Sequence, residues 1–433
     1  MRSETKFRGV LADVCASIDY GFTASATETP QGPKFLRISD IVSGYIDWRS
    51  VPYVVADDAV SERYRLDPGD IVIARTGATT GVSAYIQSPP AAVFASYLVR
   101  FKIKPEFDAR FIAYWLKSDA FWNYLKGCLG DKSAQPNASA STMTSAPIEI
   151  PSDIRIQSRI KNVLKSIDDL IDNNRVLASN LESIARRLFK SWFVDFDPVR
   201  AKAAGEKPPG LADDIAALFP DRFVESELGE IPEGWAFKPL SGIAEFINGR
   251  NFTKYATGTG RMIIRIAELS NGGPTGSTVW NDLPSTAGQY LANPGDILFA
   301  WSGSLGIHVW DRDTGLVNQH IFKVIPKHPF AAPFVFFATE DLVDDFRAIA
   351  AGKAVTMGHI KRGDLDMHGV TCPSAPELIT AFHKIVAPLW DRVRVARREA
   401  LTLGSIRDLL LPRLISGKLH VKDAEPVIEE ALA

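Results

Sequence analysis

Apolar residues recur along two stretches of the chain at alternating steps of four and three. The first stretch holds Ile156, Ile160, Val163, Ile167 and Leu170, then Leu177, Leu181, Ile184 and Leu188. That 3.5-residue period is the seam of a coiled coil, and it predicts one helix over about 153–193. Asn174 falls on the seam, where a polar residue sets register. The second stretch repeats the first 222 residues later as Leu378, Phe382, Ile385, Leu389, Leu403, Ile406 and Leu410, predicting a helix over 375–416. Ser374 and Glu377 have the spacing of a capping box at its start. This helix is less regular. Pro388 lies inside it and is expected to kink it, and Arg392 and Glu399 fall on its seam.

Ahead of each helix the pattern changes to short apolar runs behind turn residues. Ile71-Val72-Ile73-Ala74 follows Pro68-Gly69-Asp70, and Ile297-Leu298-Phe299-Ala300 follows Pro294-Gly295-Asp296. Both read as strands entered from a turn. They are two copies of one segment, offset by 226 residues. Leu36-Arg37-Ile38-Ser39-Asp40-Ile41 returns as Ile264-Arg265-Ile266-Ala267-Glu268-Leu269 at an offset of 228, and both are read as strands. Leu98-Val99-Arg100 returns as Ile321-Phe322-Lys323 at 223, and Pro151-Ser152 as Pro373-Ser374 at 222. An ordered series with a slowly falling offset is an internal duplication with short deletions in the second copy. Each copy also carries a helical stretch, Phe111 to Leu125 and Phe334 to Ala348.

The expected fold is α+β: two tandem α/β domains, over 1–152 and 235–374, each followed by a long helix. A Pro/Gly-bearing connector spans 194–234, partly ordered around Leu218-Phe219-Pro220, and a tail spans 417–433. Two helices with matching seams, separated by a whole domain, close most simply as an antiparallel coiled coil. A helix of ~40 residues is about 60 Å long, a spacer of fixed length.

At 433 residues the chain is too long for one ordinary core, which suits this division. Its net charge is only −2. Binding nucleic acid through phosphate contacts alone calls for a basic protein, so basic groups must be local or a partner must supply them. Cys15, Cys128 and Cys372 are far apart, with no Cys/His spacing, which excludes a disulfide frame and a zinc site. No apolar run approaches the ~20 residues of a membrane span, and Met1 to Lys6 lacks the core of a signal peptide. A cytoplasmic location follows as the expectation. Enzyme signatures are missing. Gly352-Lys353 lacks the upstream glycine of a phosphate-binding loop, Ser88-Pro89-Pro90-Ala91 lacks the polar and aromatic ends of an amino-methyltransferase tetrad, and the histidines are scattered.

The glycine loops carry more information. Arg75-Thr76-Gly77-Ala78-Thr79-Thr80-Gly81 joins two strands, and its counterpart is Trp301-Ser302-Gly303-Ser304-Leu305-Gly306. Small residues there let a backbone approach a ligand, and their N–H groups suit phosphate oxygens; a plain hairpin turn reads the same way on spacing alone. The scaffold repeats while the side chains differ, as in two domains that read two different sequences. A second pair of loops precedes the long helices: Lys132 to Asn137, and Lys353 to His359. Lysine contacts phosphate, while glutamine and asparagine pair with adenine. Candidate contacts are therefore Arg75, Thr76, Thr79, Lys132, Gln135 and Asn137 in the first copy. In the second they are Trp301, Ser302, Ser304, Lys353, Thr356 and His359. Arg37 and Arg265 occupy matching positions and either contact DNA or pair with a nearby acid. Asn318-Gln319-His320 is a further polar patch at a strand entry. A coiled-coil adaptor that binds protein and no DNA is the alternative, and uniform loop tips would favour it.

Taken together, the duplicated Arg-Ile-Ser-Asp-Ile and Arg-Ile-Ala-Glu-Leu segments and the Pro-Gly-Asp-Ile strands with their glycine loops form a recognisable set. Lys353 to Ile360 with Pro373, the connector Ser191 to Arg200 and the entry Ile231-Pro232-Glu233-Gly234-Trp235 complete it. Over nearly its full length the chain resembles the specificity subunit of Type I restriction–modification enzymes. The resemblance implies two target-recognition domains joined by an antiparallel coiled coil, reading a bipartite, asymmetric double-stranded DNA target across an unspecified gap. It implies modification subunits that bring S-adenosylmethionine and methylate adenine, and restriction subunits that add ATP- and Mg2+-dependent translocation and cleavage. No cofactor and no catalysis are expected in this chain itself.

Overall fold

A computed structural model describes residues 5–42, 44–129, 136–227, 229–282, 285–352 and 359–424. They form two compact units, 1–171 with 402–433, and 172–401. The division runs through both long helices, so each unit holds one α/β domain and a segment of both helices.

The α/β domain of the first unit is built on a four-stranded antiparallel sheet. Its strand order is Cys15–Tyr20, Leu98–Ile103, Ile71–Ala74, Ser83–Tyr85. The second unit repeats it as Ala244–Asn248, Ile321–Pro326, Asp296–Ala300, Gly306–Trp310. Register repeats as well. Ile71 lies opposite Phe101 and Ile297 opposite Val324; Tyr20 lies opposite Val99 and Asn248 opposite Phe322. The central runs are apolar on both faces because both faces are covered. Leu298 and Ala300 join a core with Met262, Ile264 and Trp310, while Ile297 and Phe299 join the larger aromatic core. A closing ribbon pairs the entering strand with the strand that leads into the long helix: Lys6–Val10 with Pro147–Pro151, and Trp235–Pro239 with Gly369–Pro373.

Local readings of the sequence change in four places. Each helical stretch is a pair of helices, Ala109–Trp115 with Asp119–Leu129 and Ala332–Asp341 with Val343–Gly352. Arg37 and Arg265 are not strand residues. Each is the N-cap of a short helix, Ile38–Ile41 or Ile266–Ser270, and its N–H donates to the acid three residues on, Asp40 (2.8 Å) or Glu268 (3.1 Å). The acid satisfies an otherwise orphaned helix-end donor, which ends the strand. The second long helix opens at Glu377, after Pro376. Ser374 does not cap it and instead donates its N–H to the Gly234 carbonyl. The connector is folded: it carries the helix Asp197–Ala203 and the hairpin strands Phe223–Ser226 and Gly229–Pro232, and Phe219 packs edge-on to Trp192 at 5.1 Å.

The long helices are Ile154–Phe193 and Glu377–Ile415, the second running through Pro388 without a break. In the second unit they pack antiparallel, with Ala178 against Val393 and Ala396, and Phe189 beside Phe382 at 6.0 Å. In the first unit Asp168 accepts from Arg407 at 2.9 Å. At Ile160, Val163 and Ile167, and at Leu378, Phe382, Leu403 and Leu410, the predicted seam is buried, but over 170–189 of the first helix and 385–390 of the second the buried seam is displaced by one residue from the one the spacing predicts. Ile171, Ala178, Ala185 and Phe189 are buried on the first helix, and Val386, Trp390, Val393 and Ala396 on the second. Ile184 is 53% exposed, and Arg392 and Glu399 lie outside, paired with each other at 3.3 Å. Apolar residues occur in adjacent pairs here, so spacing alone fits either register. The alanines decide it, because small residues let two helix backbones approach, and the bulkier Leu177 and Leu181 pack along the flank. Ala178→Leu is therefore expected to overpack the seam and cost about 1–3 kcal/mol. Ile184→Ala should change stability by less than about 0.5 kcal/mol. Urea denaturation of both variants checks the assignment, and the opposite ranking would refute it.

Candidate nucleic-acid interface

In each copy the glycine loop and the loop before the long helix meet. Thr76 forms a single antiparallel bridge with Asn137, and Ser302 forms one with His359. Around the first bridge, Gly77 donates its N–H to the Pro136 carbonyl (2.8 Å) and Ala138 donates to Arg75 (2.9 Å). Around the second, Ile360 donates to Trp301 (3.1 Å), the repeat equivalent of the Ala138 bond. A third turn joins at the same point: Arg75 donates its N–H to the Tyr97 carbonyl (3.0 Å) and Trp301 to that of His320 (3.1 Å). The first strand of each sheet ends there, at Tyr20 or Asn248. Each tip thus gathers four corresponding positions: Tyr20, Arg75, Tyr97 and Asn137, and Asn248, Trp301, His320 and His359.

The backbones correspond and the chemistry does not. In the first tip the Arg75 guanidinium lies over the Tyr20 ring, with Cζ 4.9 Å from its centroid. Arg75 Nε is buried and has no hydrogen-bond partner among the described residues. Tyr20 and Tyr97 are 45% and 61% exposed. Asn137 is exposed, and Thr76 and Thr79 are half-buried on the loop. Thr80 is a fastener, its buried hydroxyl donating to the carbonyls of Gly77 and Pro136 (2.8 and 3.1 Å). Gly77 and Gly81 adopt φ of 77° and 97°, conformations that glycine alone adopts without strain.

In the second tip Trp301 donates from Nε1 to Asn248 Oδ1 (2.9 Å). The rings of His320, Phe322 and His359 surround it at 5.1, 5.7 and 6.1 Å. Asn248, Trp301 and His359 line an open cleft of about 590 Å³ whose edge carries Lys361 and Arg362. Ser304 is exposed, whereas Ser302 is buried in the bridge. His320 sits at φ 75°, and its Nδ1 is buried without a partner among the described residues. Asn318 is structural, its buried Oδ1 accepting the Phe252 N–H at 3.1 Å.

Arg37 and Arg265 are each engaged by an acid. Arg37 reaches Asp40 through Nε and Nη2 (3.1 and 3.0 Å), and Arg265 reaches Glu268 in the same way (2.9 and 2.6 Å). Those bonds hold both guanidinium groups above their ordinary range. Glu268 is fully buried. Burial alone would raise its carboxyl, but hydrogen bonds from Arg265 and Thr278 outweigh that and hold it below the ordinary range. The paired-acid reading of these two arginines is the arrangement present. Lys132, Gln135, Lys353 and Thr356 lie outside the described residues. Tyr20, Tyr97 and Asn248 were not singled out by the sequence. The available signal was the one that found Arg75 and Trp301, namely equivalent positions in the repeat with unlike side chains.

All three cysteines are free. Burial pushes the thiols of Cys15 and Cys372 up to about 12 and about 11, which makes them poor nucleophiles. Among the described residues no group of three or more His, Cys, Asp or Glu side chains is disposed to hold a metal ion, and no helix is long and apolar enough to cross a membrane.

Two copies of one scaffold with unlike polar and aromatic tips define a duplicated recognition protein. The family model for the Type I restriction modification DNA specificity domain matches residues 11–183 and 232–385, and the chain belongs to that family. It is 27% identical over 335 residues to the Type I restriction enzyme MjaIX specificity subunit of Methanocaldococcus jannaschii, covering 73% of this chain and 70% of that one. It is 26% identical over 334 residues to the Type I restriction enzyme HindI specificity subunit of Haemophilus influenzae, covering 66% and 71%. In fold it resembles the crystal structure of a Type I restriction-modification system S subunit from M. genitalium, with a TM-score of 0.52 over 96% of this chain and 97% of that chain at 15% identity.

Proposed function

We infer that this chain reads a bipartite double-stranded DNA target, one half-site at each tip, and directs adenine methylation and restriction by partner subunits. The observation that carries the reading is the pair of tips: the same backbone bridges hold unlike side chains at corresponding positions. Catalysis, S-adenosylmethionine, ATP and Mg2+ belong to modification and restriction subunits in this reading. The chain contributes recognition, and its near-neutral charge fits partners that share the phosphate contacts. The long helices, of 40 and 39 residues, are the natural spacer for the unspecified gap.

The test is methylation mapping. The chain is co-expressed with its neighbouring modification subunit in a host that lacks adenine methylation, and N6-methyladenine is mapped across the genome. A single two-part motif with a fixed gap is expected. An assembled complex that leaves no methylation would transfer the reading to a coiled-coil adaptor.

A further inference from the structure

Two arginines emerge from the first sheet, and they are used differently. Arg100 is 9% exposed at its side chain and gives both Nη groups to the protein, one to the Arg65 carbonyl (2.6 Å) and one to Asp19 (2.9 Å). Arg75 gives none. Its Nε is closed off from solvent without an acceptor among the described residues, and neither Nη group bonds to a described residue. The guanidinium is held over Tyr20 at 4.9 Å. Tyr20 is itself fixed, its hydroxyl accepting the Ala140 N–H at 3.0 Å. The backbone on either side of Arg75 is tied on both strands, to Tyr97 and Ala138. A rigid platform therefore presents a planar cation whose end-on pair of Nη donors is unspent on the described residues.

We propose that Arg75, stacked on Tyr20, reads a guanine in the half-site of the first domain, and that the second half-site has no such reading at the equivalent point. The proposal rests on the DNA-recognition reading above. Two parallel donors at the end of a guanidinium match the O6 and N7 acceptors on the major-groove edge of guanine, a pattern no other base presents. A phosphate would also accept two such bonds. Arg75 is half-buried on its tip and held in plane over Tyr20, which suits the fixed geometry of a base edge, and the binding experiment separates the two acceptors. The second tip carries Trp301 at this position, with its one donor already given to Asn248. Tyr20 is a positioning residue: it touches Arg75 and fixes the plane of the fork.

The experiment is methylation mapping of the complex carrying the wild-type chain, Arg75→Met, Arg75→Lys or Tyr20→Ala, followed by binding of the purified complexes to synthetic duplexes. The wild-type motif should contain a guanine in one half-site. Arg75→Met keeps the length and loses both donors, so that one position should relax while the other half-site stays specified, and Arg75→Lys, which can still reach guanine, should retain part of the preference; Tyr20→Ala should relax the same position. In binding, replacing that guanine, or removing its N7 with 7-deazaguanine, should weaken the wild-type complex about 5- to 150-fold and leave the Arg75→Met complex unaffected. A motif with no guanine in either half-site overturns the proposal. So does an Arg75→Met complex that keeps every position specified and only binds all duplexes alike more weakly, which is the behaviour of a phosphate contact. Either result leaves the bipartite reading standing. Absence of any motif from the assembled wild-type complex would instead remove both.

Discussion

Phe382→Ala should lower the stability of the second unit by about 3–5 kcal/mol. Phe382 is fully buried, and its ring meets Phe193 at 5.2 Å, Trp192 at 5.9 Å, Phe189 at 6.0 Å and Phe334 at 6.1 Å. These rings come from the first long helix, the second long helix and the helix Ala332–Asp341. Truncation removes apolar surface and also leaves a cavity that three rigid elements cannot collapse into. Val395→Ala, at a position 47% exposed in the same unit, should stay within about 0.5 kcal/mol. Chemical denaturation followed by tryptophan fluorescence, to which Trp192 and Trp390 of this cluster contribute, checks the ranking. Equal midpoints for the two variants would show that the aromatic cluster contributes little.

Glu268→Ala is the second large effect. Removing this carboxylate takes the ion-pair partner from Arg265, whose side chain is 28% exposed and keeps a bond to the Ser277 carbonyl (2.7 Å), and also removes the acceptor of the Thr278 hydroxyl, which donates to it at 3.0 Å. A buried pair broken from one side costs about 3–5 kcal/mol, and the partial exposure of Arg265 places the expectation at about 3. The pH dependence has a definite sign. The Glu268 carboxyl lies below its ordinary value in the folded chain. Its contribution is therefore complete above the unfolded value of about 4.3 and is lost as pH falls through the folded value. Glu268→Gln should flatten that part of the acid limb in thermal melts recorded from pH 6 down to pH 3. An unchanged limb would assign the acid sensitivity to other carboxylates.

The parts of this fold legible in sequence were those set by local spacing or by self-similarity. The duplication placed both sheets in register, because Pro68-Gly69-Asp70 and Pro294-Gly295-Asp296 turn into strands that pair identically. The helix seam was legible to the residue at Ile160, Val163, Ile167, Leu378 and Phe382, and only to within one residue from Leu170 to Phe189. Leu170 with Ile171, and Leu177 with Ala178, give either face a 3.5-residue period, and only the packing partner distinguishes them. Arg37 looked like a strand residue because its neighbours are apolar; the deciding feature was Asp40, three positions on, available to cap a helix end. At the tips, Arg75 and Trp301 were visible as unlike residues on a repeated loop. Tyr20 and Asn248 were not, since they reach those loops only through strand pairing distant in sequence.

The bridges Thr76–Asn137 and Ser302–His359 are made by main-chain atoms. Every amino acid but proline can supply them. On the proposed reading, mutation at a tip can therefore alter which base is preferred while the main-chain bridges beneath keep their partners. New preferences become reachable by single substitutions through folded intermediates. Because each unit has its own tip, one half of a target can drift while the other is held. The two tips, one cationic over a tyrosine and one indole beside an amide, differ in this way on one shared backbone.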